Sequence, residues 1–331
     1  MVRVALIGLG SIAEIHLPIL INTENVELCA VCDINPQRKD LAPDVPFYTD
    51  YLQMMDQAKP DCVHLCLPHW LHYPVAKAAI ERGIHVFTEK PLALDLAQAQ
   101  AFAQLEMENP LVKIGLCLQN RYNATTQALD QLIQSGQYGK VTSITGLVLW
   151  SRPQTYYAEA PWRGKKAMAG GGVMINQGIH TLDLMLQFAG PVTALKGTTS
   201  QLLDYGIEVE DTAAAQLIFS NGAVGHFYAT VANGENTDVE LSVTMEKGKF
   251  LIQDEILYRV EDTKKISLAQ NTRMSGEKFY YGTSHAKLIA LYYEDLEKGS
   301  CRYPRAKDGI DSMALIDAIC RSNDTGKIVT L

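Results

Sequence analysis

The sequence predicts a two-part chain: an α/β domain on a parallel sheet over residues 1–119, then an α+β domain on a large, open, mainly antiparallel sheet over residues 120–331. Three observations carry this. Short, wholly apolar runs alternate with helix-length amphipathic stretches through the first third. Beyond about residue 120 the runs lengthen, alternate in polarity and are separated by turn signals. A length of 331 residues suits about two domains of roughly 150 residues each.

The first domain has strand-like runs at 2–8, 26–33, 62–67, 85–88 and 112–118, with helix-like stretches at 12–22, 70–82 and 95–108 between them. Strands that are apolar on both faces need helices on both sides, which is the requirement of a buried parallel sheet. Pro18 lies inside the first helix, lacks an amide donor and should kink it. In the second domain a helix at 125–134 precedes strands at 141–150, 192–203, 212–219, 223–231, 239–244, 250–252 and 256–260. Ser220-Asn221-Gly222 and Glu246-Lys247-Gly248 read as hairpin turns. Helices at 284–298 and 308–322 close the chain.

The formal net charge of -8 disfavours nucleic-acid or anionic-membrane partners. The opening MVRVALIGLG is strand material without the pattern of a signal peptide, and no apolar run reaches membrane-spanning length. The seven cysteines fall mostly in strand-like runs and read as reduced core thiols of a cytoplasmic protein. No metal is expected. Cys29 and Cys32 point to opposite faces of one strand. Cys62, His64 and Cys66 share a face, but alternate residues on a strand stand about 7 Å apart, too wide for one tetrahedral ion. His180 and Asp183 lack a third ligand, and His16, His85, His226 and His285 read as packing or surface histidines.

GLGSIA, residues 8–13, follows a strand and opens a helix. Gly8 permits the tight turn, Gly10 lets backbone approach a pyrophosphate, and Ala13 lets helix and strand pack closely. The free amides of the helix start then face phosphate. Asp33 ends the second strand, 23 positions after Gly10 (33 − 10), where a carboxylate grips a ribose hydroxyl and favours NAD over NADP. Arg38, a few residues on, softens that preference. In an open parallel sheet the loops at strand C-terminal ends line the ligand crevice. Three segments therefore converge there: Leu67-Pro68-His69-Trp70-Leu71-His72, FTEKP at 87–91, and 118–122.

GGGVMINQGIHTLDLMLQF, residues 170–188, places Asn176, His180 and Asp183 at i, i+4 and i+7, one polar stripe on an apolar helix. A satisfied buried network explains such a stripe as readily as a site does. Upstream, Trp162, Arg163, Lys165 and Lys166 form a basic, aromatic loop that is either solvated or recognises an anion.

GLGSIAEIH, HWLHYPVAKAAIERGIHVFTEKPLAL, GLCLQNRYN and GGGVMINQGIHTLDL, in this order, resemble the glucose–fructose oxidoreductase, inositol 2-dehydrogenase and rhizopine-catabolism (Gfo/Idh/MocA) family over nearly the whole chain. The resemblance implies a Rossmann domain, a C-terminal α/β domain whose sheet face often joins subunits into homodimers or homotetramers, and a nicotinamide at the domain junction. It implies hydride transfer between NAD(P) and a secondary alcohol of a sugar, sugar acid, nucleotide-sugar or polyol. Lys90 would sit beside the nicotinamide and the reacting hydroxyl, and His180 would be the acid/base partner. The position four residues before it is commonly aspartate in the inositol-dehydrogenase-like members and is Asn176 here, as in members that oxidise nucleotide-linked sugars or their uronates. Asparagine positions substrate by hydrogen bonds but cannot act as a carboxylate base.

The cofactor-binding set is then Gly8, Gly10, Ser11, Ile12 and Asp33 in the turn, Leu67, Pro68, His72, Glu89 and Lys90 at the strand ends, and Asn120, Trp162 and Arg163 beyond. Substrate contacts are expected from Lys90, Arg121, Arg163, Asn176 and His180. Two other functions fit the same residues: a glycosidase acting by transient oxidation and elimination, and a non-catalytic cofactor-binding regulator.

Overall fold

The computed structural model describes residues 1–272 and 284–331. The first elements are β1 (Val2–Ile7), α1 (Ala13–Asn22), β2 (Val26–Cys32), β3 (Phe47–Tyr48), α2 (Tyr51–Ala58), β4 (Cys62–Leu65), α3 (His69–Ile80), β5 (His85–Thr88), α4 (Leu96–Glu108) and β6 (Ile114–Leu116). Their strands form one sheet in the order β3-β2-β1-β4-β5-β6, every neighbour parallel. The order reverses between β1 and β4, which is where a doubly wound sheet opens its ligand crevice. Val4, Leu6, Val63, Leu65, Val86 and Phe87 are wholly buried in it, as runs apolar on both faces require. Asp50 and Asp95 start α2 and α4 by accepting the amides of Gln53 and Gln98 at 2.9 and 2.8 Å.

The second stretch holds α5 (Ala124–Gln134), β7 (Val141–Leu149), α6 (Gln154–Ala158), α7 (Lys166–Ala169), α8 (Ile179–Ala189), β8 (Val192–Ser200), β9 (Thr212–Phe219), β10 (Val224–Thr230), β11 (Glu240–Met245), β12 (Gly248–Gln253), β13 (Ile256–Glu261) and β14 (Lys264–Gln270). Then come α9 (Ser284–Lys298), α10 (Ile310–Thr325) and β15 (Val329–Thr330). The sheet order is β14-β13-β12-β11-β7-β10-β9-β8-β15, antiparallel throughout except for the parallel pair β7/β10. Both expected hairpin turns join their strands. Glycines let helices lie close on one face: a Cβ at Gly146 would stand 2.5 Å from Thr181 of α8, and one at Gly197 would stand 2.8 Å from Ile319 of α10. Strand alternation turns Ile218, Val224 and Tyr228 to the opposite face, where they are exposed. No described helix is long and apolar enough to cross a membrane.

The chain divides into two compact units, Met1–Gln119 with His285–Ile310, and Asn120–Ser284 with Asp311–Leu331. The expectation of one domain over 120–331 is corrected here, because residues 285–310 pack with the first unit. Leu288, Ile289 and Tyr292 of α9 are wholly buried. The Tyr292 hydroxyl donates to the carbonyls of Val86 and Lys113 at 3.0 and 3.1 Å, and its ring meets Phe87 edge-on at 5.1 Å. Gly115 makes room for that ring, since a Cβ there would stand 2.6 Å from it.

Candidate active site

The dinucleotide turn has the geometry its residues predict. Gly8 adopts φ 91°, and a Cβ on it would stand 2.3 Å from the Cys66 carbonyl oxygen, so only glycine fits. A Cβ at Gly10 meets nothing within 4 Å, leaving an open cradle at the strand–helix turn. Ser11 and Ile12 lead into α1. The Asp33 carboxylate accepts the amides of Leu9 at 2.7 Å and Asn35 at 2.8 Å, which fixes its orientation beside the turn. An open cradle, a helix start and an oriented carboxylate are what a pyrophosphate and ribose need, so these residues fit NAD. Arg38 lies exposed on the turn Pro36–Leu41. Gly10→Ala should leave thermal stability unchanged while weakening NAD binding by about tenfold or more, because the methyl fills the cradle and not the core. Calorimetric titration checks this, and undiminished affinity would remove the pyrophosphate from that turn.

Lys90 stands two residues past the end of β5 and is joined to Pro91 by a cis peptide bond. Leu67 and Pro68 stand half-buried after β4, and Pro68 leads into α3. His72, expected at the cofactor, is instead wholly buried. Its ring nitrogens face the carbonyl oxygens of Pro91 at 2.7 Å and Leu67 at 2.8 Å, so it braces the two loops against each other. Burial holds its pKa below the usual histidine value, against those two hydrogen bonds.

Glu89, also expected to touch the cofactor, points inward with 4 % exposure. Its Oε1 lies 2.9 Å from His16 Nε2 and 3.7 Å from His285 Nε2, and its Oε2 accepts the Lys90 amide at 3.2 Å. Burial raises the pKa of this carboxyl, but the two histidines outweigh burial and hold it well below the ordinary carboxylate range. His16 and His285 are therefore not the isolated packing histidines expected. Sequence reading missed them because the contact joins α1, the end of β5 and α9, separated by up to about four-fifths of the chain. His16 in GLGSIAEIH and His285 at the start of an amphipathic helix were the available signals.

In the second unit, the glycine run ends on a strand-side clamp. The Glu210 carboxylate accepts the amides of Gly172 at 2.8 Å and Met174 at 3.1 Å, and its carbonyl accepts Val173 at 2.9 Å. Burial pushes the Glu210 carboxyl up. A π-helical turn, Met174–Gly178, follows and runs into α8. Such turns widen a helix locally and recur at functional sites. Asn176 and His180 are half-buried, whereas Asp183 is buried and receives Arg121 bidentately, at 2.8 and 2.6 Å. The expected three-residue stripe thus divides, and Arg121, expected to bind substrate, is committed to Asp183. Asn120 is half-buried in the turn Gln119–Tyr122.

The basic loop also sorts itself. Lys165 pairs with Glu208 at 2.9 Å, and Glu208 accepts the Lys166 amide as well. Arg163 instead lies over the Tyr156 ring at 4.1 Å and near half-buried Trp162 at 5.9 Å. Arg152 approaches the same tyrosine at 5.3 Å. The Asn176 side-chain amide donates to the Tyr156 hydroxyl at 3.0 Å. Tyr156 is a site residue that sequence reading missed; the signal was an Arg-flanked aromatic pair, SRPQTYY, after a strand.

A model of the oxidoreductase family with NAD-binding Rossmann fold (Gfo/Idh/MocA) matches residues 2–114, and a model of the same family's C-terminal domain matches 126–251. The D-glucoside 3-dehydrogenase of Escherichia coli K12 is 26% identical, over 99% of this chain and 97% of that protein. The inositol 2-dehydrogenase of Salmonella typhimurium LT2 is 31% identical over 44% of this chain and 45% of its own. The WlbA dehydrogenase of Bordetella pertussis, solved with NADH and UDP-GlcNAcA, superposes with a TM-score of 0.86 at 28% identity, covering 100% of this chain and 98% of that one. With both domains matched and a full-length likeness to dehydrogenases, the chain belongs to the Gfo/Idh/MocA family and is an NAD-dependent oxidoreductase.

Proposed function

We propose that this oxidoreductase exchanges hydride between NAD and a secondary alcohol of a sugar carrying an anionic group, a uronate or a nucleotide-linked sugar. Bound NAD supplies the hydride acceptor. Lys90 hydrogen-bonds the reacting oxygen and stabilises the charge that develops there. The alcohol proton goes to His180, since Asn176 cannot take it. Asn176 orients a sugar hydroxyl, and Arg163 meets the anion.

The observation that carries the anionic substrate is the pair of guanidinium groups, Arg152 and Arg163, stacked on Tyr156, whose hydroxyl holds Asn176. Nη1 of Arg152 donates to the Ser151 carbonyl and to Asn236, and Nη1 of Arg163 donates to the Tyr156 carbonyl, so the Nε/Nη2 edges are the ones that can meet carboxylate or phosphate. Likeness to a glucoside dehydrogenase and to a protein solved with UDP-GlcNAcA supports a sugar with such a group. Arg163→Ala should raise KM for a uronate or nucleotide-sugar by about 10–100-fold, the value of a charge-assisted hydrogen bond, with kcat little changed. KM for a neutral polyol should not move. Equal effects on charged and neutral substrates would contradict the anion role.

A further inference from the structure

Behind Lys90 lies a polar cluster that packing does not require. His16 on α1, His64 on β4, Glu89, and His285 and Tyr293 on α9 are each 4 % exposed or less. Polar groups this deep must satisfy one another. His16 Nδ1 lies 2.5 Å from His64 Nε2, and His64 Nδ1 lies 3.2 Å from the Tyr293 hydroxyl. One proton assignment serves every contact without a charged histidine. Tyr293 donates to His64 Nδ1, His64 Nε2–H donates to His16 Nδ1, and His16 Nε2–H faces the Glu89 carboxylate. The last contact is close without being in line, so charge and proximity hold it as much as direction does.

We propose that Glu89 is a positioning residue for Lys90: fed by the Tyr293–His64–His16 relay, it ties the lysine backbone to α1 and α9 and keeps a negative charge behind the lysine side chain. This rests on the role given to Lys90 above. Its own surroundings agree. Burial holds His64 and His285 below the usual histidine value and so keeps them neutral. The other groups facing Glu89 carry no compensating charge: burial lifts the thiols of Cys66 and Cys117 well above their ordinary value and holds His72 low. Lys90, whose amide donates to Glu89 Oε2 at 3.2 Å, is then the cation nearest along the chain for this carboxylate to act on. A carboxylate nearby favours the ammonium form, so removing it lets Lys90 lose its proton at lower pH.

The same atoms suggest one other occupant. Ligand atoms of His16, Glu89, Cys117 and His285 all lie within 4.8 Å of one another. The His16–Glu89 separation of 2.9 Å is a hydrogen-bond distance, shorter than the roughly 3.3 Å between two ligands each about 2.0–2.1 Å from a tetrahedral zinc.

The test compares pH profiles of kcat/KM for wild type, Glu89→Gln, His16→Leu and His16→Gln, with NAD affinity, metal analysis of the purified wild type, and Lys90→Met alongside. Glu89→Gln and His16→Leu should move the lysine limb down by about one pH unit and lower kcat by about tenfold, with NAD affinity within about threefold. His16→Gln, whose amide still donates to Glu89, should restore most of the wild-type profile. If Glu89→Gln does not fold, His16→Leu against His16→Gln reads the same shift. An unmoved profile in folded variants, or one equivalent of bound metal in the wild type, overturns the relay. Turnover retained by Lys90→Met overturns the reading of Lys90 itself, whereas an inactive Lys90→Met with unmoved profiles overturns the relay alone.

Discussion

Lys90→Met is expected to lower kcat by about a hundred- to a thousandfold while leaving NAD affinity within about threefold. Methionine keeps an apolar stem of similar length, so packing at the end of β5 survives. What it removes is the ammonium that holds the reacting oxygen. The groups that fit the cofactor's phosphates and ribose are elsewhere, in the Gly8–Gly10 turn and the Asp33 carboxylate held by the amides of Leu9 and Asn35. The buried Glu89 contact to the lysine amide uses backbone and persists in the variant. Steady-state rates together with an NADH fluorescence titration separate the two effects. Wild-type turnover in a folded variant would rule out the proposed role, and equal losses of binding and turnover would make Lys90 a cofactor ligand instead.

Gly172→Ala should destabilise the chain by about 3 kcal/mol and abolish activity, whereas Gly171→Ala should cost less than about 1 kcal/mol. The two glycines are adjacent and look alike in sequence. In the structure a Cβ on Gly172 would stand 1.8 Å from the Glu210 carbonyl oxygen, while one on Gly171 makes ordinary contacts of 3.4–3.6 Å with Ile175 and Glu210. The clash is with backbone, which no rotamer change relieves. Relief requires the helix start to part from Glu210, breaking the bonds from Gly172, Val173 and Met174 and displacing the π-helical turn that carries Asn176. Denaturant unfolding and turnover measured on both variants check this. Equal stability of the pair would mean that the clamp on Glu210 is not the fixed point of the site.

Apart from β3, the Rossmann sheet was legible because its strands are largely buried on both faces and so read as short apolar runs. β14, KKISLAQ, was not, because it is short of apolar residues and its alternate Ile266 and Leu268 stay exposed. α2 and β3 were missed because they are short: the buried face of α2 is Met54 and Met55 alone, and β3 is the pair Phe47–Tyr48. The return of residues 285–310 to the first unit was invisible: amphipathy shows that α9 buries Leu288 and Tyr292, not which core receives them. The same limit applies to the site. Glycine turns, Asp33 and the strand-end lysine are local patterns that state their own chemistry. Glu89, His72 and Arg121 looked like ligand contacts because they stand beside such patterns, but each is committed to a distant partner. Tyr156 and the Glu89 histidines gain their roles only from contacts that chain distance conceals.

The most direct test of the account is a nicotinamide absorbance screen with NAD+ against a panel of neutral polyols, aldoses, uronates, sugar phosphates and nucleotide-sugars. The account predicts NADH formation with an anionic sugar, at a rate that collapses in Lys90→Met. If NAD+ binds and no sugar alcohol in the panel reduces it, even in a single turnover, the dehydrogenase reading is contradicted, and the transient-oxidation glycosidase or the cofactor-binding regulator takes its place.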